Sequence, residues 1–288
     1  MMIKRGIIIV VILTLSLSTV LFEYDKSVNA KTDISKYSKN SALALNYHRV
    51  RKGGFFDNFL SIFSNSKELS TYSLTQKQFE DQIRWLKSKK AHFLTEAEFI
   101  KYKNQGKFPK RSVWISFDDM DQSIYKNAYP ILKKYHVPAT GFIITGRVGQ
   151  QEFHNLNMAT LTQLKTMNDS GLWTFQSHTK DLHSIKHNVS QVISTQDDRT
   201  LTADIQESRQ YLKKNFNSNA DSIAYPYGQI NDEKIAAIKK AGIKYGYTLE
   251  EKPVQPDDDD YYIPRILISE SAFHQVVQKW KGFNNSEK

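Results

Sequence analysis

The feature that most constrains the fold is the alternation of short apolar segments with longer amphipathic ones from residue 41 onward. Segments such as 113–117 are almost wholly apolar, which is typical of strands buried on both faces. The stretches between them are long enough for crossover helices. Strands that alternate with helices predict a parallel sheet covered by helices.

The predicted strands cover residues 42–47, 92–94, 113–117, 139–144, 172–176, 222–225, 244–248 and 263–268. Thr75 with Gln78, and Thr95 with Glu98, have the capping-box pattern of helix starts. About seven or eight βα units predict an α/β fold, an irregular (β/α)7-8 barrel. No glycine-rich phosphate loop follows a strand, which argues against nucleotide binding. Catalytic residues of such barrels lie at the C-terminal ends of strands.

Residues 1–30 have the pattern of a signal peptide. Lys4 and Arg5 precede an apolar run over residues 6–22, and Ala30 ends a small-residue cleavage site. An uncleaved anchor helix is the alternative, because the run approaches the length that a bilayer requires. Either way we expect a location outside the cytoplasmic membrane, with a linker over 31–40 and one domain over 41–288.

The chain contains no cysteine, which excludes disulfides and cysteine metal ligands, so a metal must be held by histidine and carboxylate. The formal net charge is +10. In an exported protein this charge predicts retention at anionic cell-surface polymers or lipid headgroups. Nucleic acid is not expected, because no recognition helix rich in lysine and arginine is evident. We expect a secreted, cell-surface-associated monomer.

An insertion over residues 51–73 interrupts the strand–helix pattern, and loops of this length are uncommon unless they are functional. Its apolar side chains predict contact with a membrane surface, whereas a loop folded over the barrel is the alternative. These side chains are Phe55, Phe56, Phe59, Leu60 and Phe63.

Two adjacent carboxylates, Asp118 and Asp119, end the strand over 113–117. Neighbouring carboxylates are costly to hold together unless a cation or a proton separates their roles. Helix capping is the alternative, because aspartate is a common N-cap residue.

Two histidines, His178 and His183, follow the strand over 172–176. Five positions apart on a helix they would point about 140° apart, so they could share a metal only from a loop. With Asp119 they would form a site for one divalent ion with open positions, and zinc, cobalt, nickel or iron would fit. A pair of surface histidines is the alternative.

The segment Tyr225-Pro226-Tyr227-Gly228 closes a further strand. Tyr225 and Tyr227 could form a stacking wall for a sugar ring, whereas a simple turn is the alternative.

These three elements in this order resemble the NodB-homology polysaccharide deacetylases, the fourth carbohydrate esterase family, over roughly residues 112–268, with a core extending to about 288. The resemblance implies that Asp118 is the base, that Asp119, His178 and His183 are metal ligands, and that the Tyr227 backbone N–H holds an oxyanion. The sequence departs from the pattern at Ala224, where the family has an arginine. We expect Arg265 to orient the base instead.

The family's C-terminal histidine acid is missing, but His48 ends the first strand. This order resembles the circularly permuted subgroup that deacetylates poly-β-1,6-N-acetyl-D-glucosamine, in which the acid comes from the N-terminal strand. The resemblance implies an exported N-deacetylase of that polymer that supports biofilm adhesion. A buried structural histidine is the alternative for His48.

The sequence fits three other functions less well. A peptidoglycan or chitooligosaccharide deacetylase is disfavoured by Ala224 and by the N-terminal position of His48. A non-catalytic glycan-binding module has no need for a base beside a metal site. A metallopeptidase would more usually carry His-Glu-x-x-His on a helix, which is absent.

Overall fold

The computed structural model describes residue 37, residues 40–53 and residues 73–283. The predicted signal peptide lies outside the described residues, as do Phe55, Phe56, Phe59, Leu60 and Phe63 of the insertion. Within the described part of the chain, no helix is both long and apolar enough to cross a membrane.

The strands in the described residues are β1 (Leu43–Tyr47), β2 (Arg49–Arg51), β3 (Ser73–Thr75), β4 (His92–Leu94), β5 (Ser112–Phe117), β6 (Ala139–Ile143), β7 (Trp173–Ser177), β8 (Ile185–Lys186), β9 (Val189–Ser190), β10 (Ser222–Ala224), β11 (Tyr245–Tyr247) and β12 (Ile266–Leu267). Eight of them form the main sheet, in the order β11-β10-β7-β6-β5-β1-β12 with β4 also paired to β5. Every pairing within this sheet is parallel. The other strands form two small two-stranded sheets, β2-β3 and β8-β9.

The two ends of this sheet approach each other. Tyr247 of β11 forms an isolated parallel bridge with Ile263, shortly before β12 begins. β12 in turn pairs with β1, where Leu45 lies opposite Ile266. The curled parallel sheet confirms the predicted α/β barrel class.

The helices cover the sheet and begin where the capping patterns predict. Thr75 and Thr95 each form a complete capping box, with Gln78 and Glu98 respectively. The helices are α1 (Gln76–Ser88), α2 (Glu96–Asn104), α3 (Tyr129–Tyr135), α4 (Leu161–Asp169), α5 (Gln191–Ser194), α6 (Asp198–Phe216), α7 (Asp232–Lys240) and α8 (Glu270–Ala272).

The helix predicted over residues 124–135 is divided in two. A π-helical segment, Ile124–Ala128, precedes α3, and Pro130 lies in the first turn of α3. The backbone N–H of Tyr129 donates to the carbonyl of Ile124 in the π-helical segment, whereas Pro130 has no N–H to donate. The helical hydrogen-bond pattern therefore changes where this donor is missing.

The core lies on both faces of the sheet, as expected for buried parallel strands. On β5, Val113 and Ile115 pack in the larger hydrophobic cluster with residues of the helices, whereas Trp114 belongs to a second cluster. The Trp114 ring stacks on Phe99 and contacts Tyr247, with centroid distances of 5.0 and 4.7 Å. These aromatic rings fill the barrel below the strand ends, so functional side chains gather at the rim above them.

Candidate active site

The C-terminal ends of β1, β5, β7 and β10 bring the candidate residues to one rim of the barrel. Asp118 directly follows β5, and its backbone N–H continues the ladder by donating to the carbonyl of Tyr47 on β1. His178 directly follows β7, and its backbone N–H donates to the carbonyl of Ile143 on β6. Parallel strands therefore place residues that are distant in sequence side by side.

Asp118 is held by three hydrogen bonds. Nη1 of Arg265 donates to Oδ1 at 2.7 Å, and Nη2 donates to Oδ2 at 2.8 Å. Nδ2 of Asn46 also donates to Oδ2, at 3.0 Å. The predicted contact between Arg265 and Asp118 is therefore present, and Asn46 adds a partner that the sequence interpretation did not include.

Asp118 and Arg265 are both buried, with 1% and 0% of their surface exposed. Burial alone raises the pKa of Asp118, but the charge and hydrogen bonds of Arg265, together with the charges of His178 and His48, outweigh this effect and lower the pKa overall. The guanidinium lies over the ring of Phe142, 5.0 Å from its centroid. Asp118 is consequently ionised at neutral pH, in the form that can accept a proton.

Asp119 faces both histidines. Its Oδ1 lies 3.4 Å from Nε2 of His178 and 3.1 Å from Nε2 of His183. One ligand atom of each residue falls within 4.8 Å of the others. Among the described residues these three form a group that could hold a metal ion.

The hydrogen bonds around this group fit a cation between the three side chains. Nδ1 of His178 lies 2.8 Å from the carbonyl oxygen of Ala224, which can only accept, so Nδ1 carries the proton. The lone pair of Nε2 is then left facing Asp119. Oδ1 of Asp119 is buried and has no hydrogen-bond partner among the described residues. Nε2 of His178 and Oδ1 of Asp119 thus direct lone pairs towards the same space, which favours a metal ion between them. A backbone carbonyl that accepts a hydrogen bond from the other ring nitrogen commonly orients a histidine ligand.

The local field favours positive charge. Burial alone lowers the pKa of His178, but the carboxylates of Asp118 and Asp119 raise it overall. For Asp119 burial alone raises the pKa, yet His183 and His178 bring it well below its ordinary value.

The backbone turns sharply at Asp119, directly after Asp118. Asp119 and Met120 have φ angles of 65° and 62°, in the left-handed region that residues with a Cβ rarely adopt. Such conformations cost about 1–3 kcal/mol each and persist where the surroundings enforce them, often at functional sites. The turn here directs the Asp118 side chain towards Arg265 and the Asp119 side chain towards the histidines.

His48 lies near the same group and is partly buried. Burial lowers its pKa, and the carboxylates of Asp119 and Asp118 oppose this effect only in part. His48 is thus close enough to both carboxylates to interact with their charges, at the end of the strand where a proton donor was predicted.

The two tyrosines of the third motif differ in position. Tyr225 has no exposed surface, which contradicts its predicted stacking role, because a fully buried ring offers no face to a sugar. Tyr227 is partly exposed, and its ring lies 5.2 Å from that of His183. Tyr227 has a φ of 59°, and Gly228 follows with a φ of 68°. A Cβ on Gly228 would lie 2.6 Å from Leu249, so this turn requires glycine.

Comparisons with known proteins agree on one family. The sequence pattern described as "Polysaccharide deacetylase" matches residues 105–246. A poly-β-1,6-N-acetyl-D-glucosamine N-deacetylase of Staphylococcus aureus (strain MSSA476) is 53% identical over 287 residues, covering 99% of both chains. The chain belongs to the polysaccharide deacetylase family. A second deacetylase with the same name, from Staphylococcus epidermidis, is 52% identical over 276 residues and 96% of each chain.

The fold of this deacetylase is similar to those of solved structures. IcaB from Ammonifex degensii superposes with a TM-score of 0.72 at 26% identity, covering 84% of this chain and 97% of that one. The Streptococcus pyogenes deacetylase PplD, in complex with acetate, gives a TM-score of 0.66 at 27% identity, covering 82% and 97%. Membership in this family makes the chain a hydrolase that acts on amide bonds.

The sequence interpretation of the deacetylase missed Asn46. A signal was available, since Asn46 and His48 are two positions apart at the end of β1, and alternate strand residues point to the same side. The contact itself joins residues 72 positions apart, so only the register between β1 and β5 reveals it.

Proposed function

We propose that this chain is an exported, metal-dependent enzyme that removes acetyl groups from poly-β-1,6-N-acetyl-D-glucosamine. The observation that carries the proposal is the position of an ionised, arginine-held carboxylate, Asp118, next to the group of Asp119, His178 and His183. The similarity to relatives that carry this activity in their names supports the choice of polymer.

Asp119, His178 and His183 would hold one divalent ion. When bound, the ion supplies a Lewis acid that polarises the acetamide carbonyl and lowers the pKa of a water molecule. Two imidazoles and one carboxylate suit zinc, cobalt, nickel or iron, and the choice among them depends on supply as well as affinity.

Asp118 would accept a proton from the attacking water as its oxygen bonds to the acetamide carbon. Oδ2 already accepts two hydrogen bonds, from Arg265 and Asn46, whereas Oδ1 accepts one from Arg265. Oδ1 therefore has the freer lone pair and is the atom that would take the proton. A positioned general base contributes about 10²–10⁴-fold to the rate.

His48 would give a proton to the sugar nitrogen as the carbon–nitrogen bond breaks, so that acetate and an amine leave. Burial lowers the pKa of His48, so its protonated form gives up the proton readily. The backbone N–H of Tyr227 would stabilise the negative charge that develops on the carbonyl oxygen.

The site would serve a polymer outside the cell. Each acetyl group removed creates an amine that is cationic near neutral pH, and a partly cationic polymer would adhere to anionic cell surfaces. The proposal includes export of the chain by the signal peptide over residues 1–30. It also includes retention at the cell surface by the insertion over residues 51–73. We propose that the chain acts as a monomer.

A free-amine assay tests the proposal against its rivals. Purified protein would be given β-1,6-linked and β-1,4-linked N-acetylglucosamine oligomers, with and without chelator, and Asp118→Asn would serve as the inactive control. We expect amines from the β-1,6 oligomers alone, and none after chelation. Amines mainly from β-1,4 oligomers would indicate a chitin or peptidoglycan enzyme, and binding without amine release would indicate a glycan-binding module.

A further inference from the structure

The segment that joins the two histidines, residues 179–182, is not a helix and takes an unusual path. Thr179 has a φ of 70°, in the left-handed region. Within this loop the backbone N–H of His183 donates to the carbonyl of Asp181 at 2.8 Å, but the repeated backbone ladder of a helix is not formed. Contacts from neighbouring elements hold the rest of the loop.

The carboxylate of Asp204 on α6 holds the centre of this loop. Its Oδ1 accepts a hydrogen bond from the backbone N–H of Lys180, and its Oδ2 accepts one from the backbone N–H of Asp181, both at 2.8 Å. Hydrogen bonds to an ionised acceptor are stronger than neutral ones. One side chain thus fixes two consecutive peptide units between the histidines.

The opposite side of the loop is held by the segment after β6. The backbone N–H groups of Thr145 and Gly146 donate to the carbonyls of Thr179 and Lys180, at 3.1 and 3.0 Å. A Cβ on Gly146 would lie 2.4 Å from the carboxylate of Asp181, so the two segments are in close contact. The loop is clamped from two sides, and Asp204 supplies one of them.

His183 depends on this clamp more than His178 does. Nδ1 of His178 has the Ala224 carbonyl as a partner at 2.8 Å. Nδ1 of His183 is buried and has no hydrogen-bond partner among the described residues. The polar contacts of the His183 ring are therefore all at Nε2, with the other two members of the group, so the rest of its placement comes from its backbone and from ring contacts such as that with Tyr227 at 5.2 Å.

We propose that Asp204 is a positioning residue that sets His183 at the correct distance from His178 and Asp119 for metal binding. This inference rests on the proposed function, because it assumes that the three residues hold a metal ion. Asp204 is partly buried on α6 and acts only through the loop backbone.

The variant Asp204→Asn tests the inference, because it keeps the shape of the side chain but replaces one acceptor with an N–H donor. Glu207→Gln is the matched control. Glu207 lies on the same helix and its carboxylate is 2.7 Å from Nζ of Lys180, but its side chain is 53% exposed and its hydrogen bond within the described part of the chain goes to the Lys180 side chain, not to the loop backbone. Both variants remove one negative charge near the same loop.

The measurement is the zinc affinity of the metal-free proteins, in competition with a chromophoric chelator. We expect Asp204→Asn to bind zinc about 10–100-fold more weakly than the wild type, as for other residues that support metal ligands. Glu207→Gln should bind as the wild type does. At saturating zinc, turnover of Asp204→Asn should return to near the wild-type value. Should Asp204→Asn not fold, Asp204→Ser keeps one acceptor and should also weaken binding.

Unchanged zinc affinity in the Asp204 variants would overturn the inference, and so would a loss of thermal stability without a loss of affinity. A wild-type protein that binds no zinc, cobalt, nickel or iron would instead refute the proposed function, and this inference with it. The two failures are therefore distinguishable.

Discussion

The guanidinium of Arg265 donates two hydrogen bonds to the carboxylate of Asp118, at 2.7 and 2.8 Å, although the two residues are 147 positions apart in sequence. Both groups are buried, so water does not screen the interaction. Because the motif around Tyr225 has Ala224 at the arginine position, the partner of the base comes from the segment that leads into β12.

Replacing Arg265 with lysine should disable the enzyme without removing the metal. A lysine ammonium cannot donate two parallel hydrogen bonds to one carboxylate, so Asp118 would lose its fixed orientation. We expect turnover to fall about 10²-fold or more, while zinc affinity stays within a few-fold of wild type. Arg199→Lys, at an 86% exposed arginine, is the control. Wild-type turnover in Arg265→Lys would contradict the orienting role.

Replacing Asp118 with asparagine should remove the base but leave the three metal-binding side chains in place. We expect turnover to fall about 10²–10⁴-fold and zinc affinity to persist. The variant should also lose about 3–5 kcal/mol of unfolding free energy, because the buried guanidinium of Arg265 loses the carboxylate that balances its charge. Turnover assays and urea unfolding check the two effects, and a variant that retained both properties would show that Asp118 is not the base.

Two variants of Asn46 should reduce turnover to different extents. Asn46→Ala removes one hydrogen bond from Asp118 and should reduce turnover modestly, at a cost of about 1–3 kcal/mol in stability. Asn46→Asp places a second carboxylate against Asp118, which raises the pKa of the pair and disturbs the base far more. Turnover measured for both should fall further in Asn46→Asp, and the reverse order would show that the contact does not matter.

The sequence predicted the rim of the barrel because hydrophobic strands end at their functional residues. Asp118 and His178 come immediately after such strands, and Asp119 comes one residue later. The alternation of strands and helices predicts that those ends meet. That pattern predicts which residues gather together, but not which way each side chain points.

Other positions could not be predicted from the pattern. Tyr225 and Tyr227 look equivalent in sequence, but the left-handed turn at Tyr227 leaves one ring inside the core and the other at the surface. Asn46 acts through pairing between strands. Asp204 acts from a helix that begins beyond the metal loop, and an aspartate on an amphipathic helix carries no signal for such a contact.

A buried acid away from the site gives a pH-dependent prediction. Glu96 accepts hydrogen bonds from Gln176 and Tyr247, and burial raises its pKa above the ordinary value of 4.5. Between the pKa of Glu96 in the unfolded chain and its higher pKa in the folded protein, the folded state binds more protons than the unfolded state. The contribution of Glu96 to stability therefore falls as pH rises through this range. The unfolding free energy of wild type relative to Glu96→Gln should therefore decline above pH 4.5, by up to about 1.4 kcal/mol per pH unit within the window.

Urea unfolding from acidic to neutral pH checks this prediction, with Glu98→Gln as the control. The pKa of Glu98 is lowered, chiefly by its hydrogen bond from the backbone of Thr95, so its contribution should be lost as pH falls. Parallel stability curves for wild type and Glu96→Gln would mean that Glu96 titrates normally.

The most direct test of the central claim is a metal titration of chelator-treated protein, with acetate release from β-1,6-linked N-acetylglucosamine oligomers as the readout, for wild type and His183→Ala. If Asp119, His178 and His183 hold one ion, the treated wild type should be inactive and should regain full turnover at one metal ion per chain, and His183→Ala should neither bind the ion tightly nor recover. Full turnover in metal-free wild type, or wild-type metal binding and recovery in His183→Ala, would contradict the account.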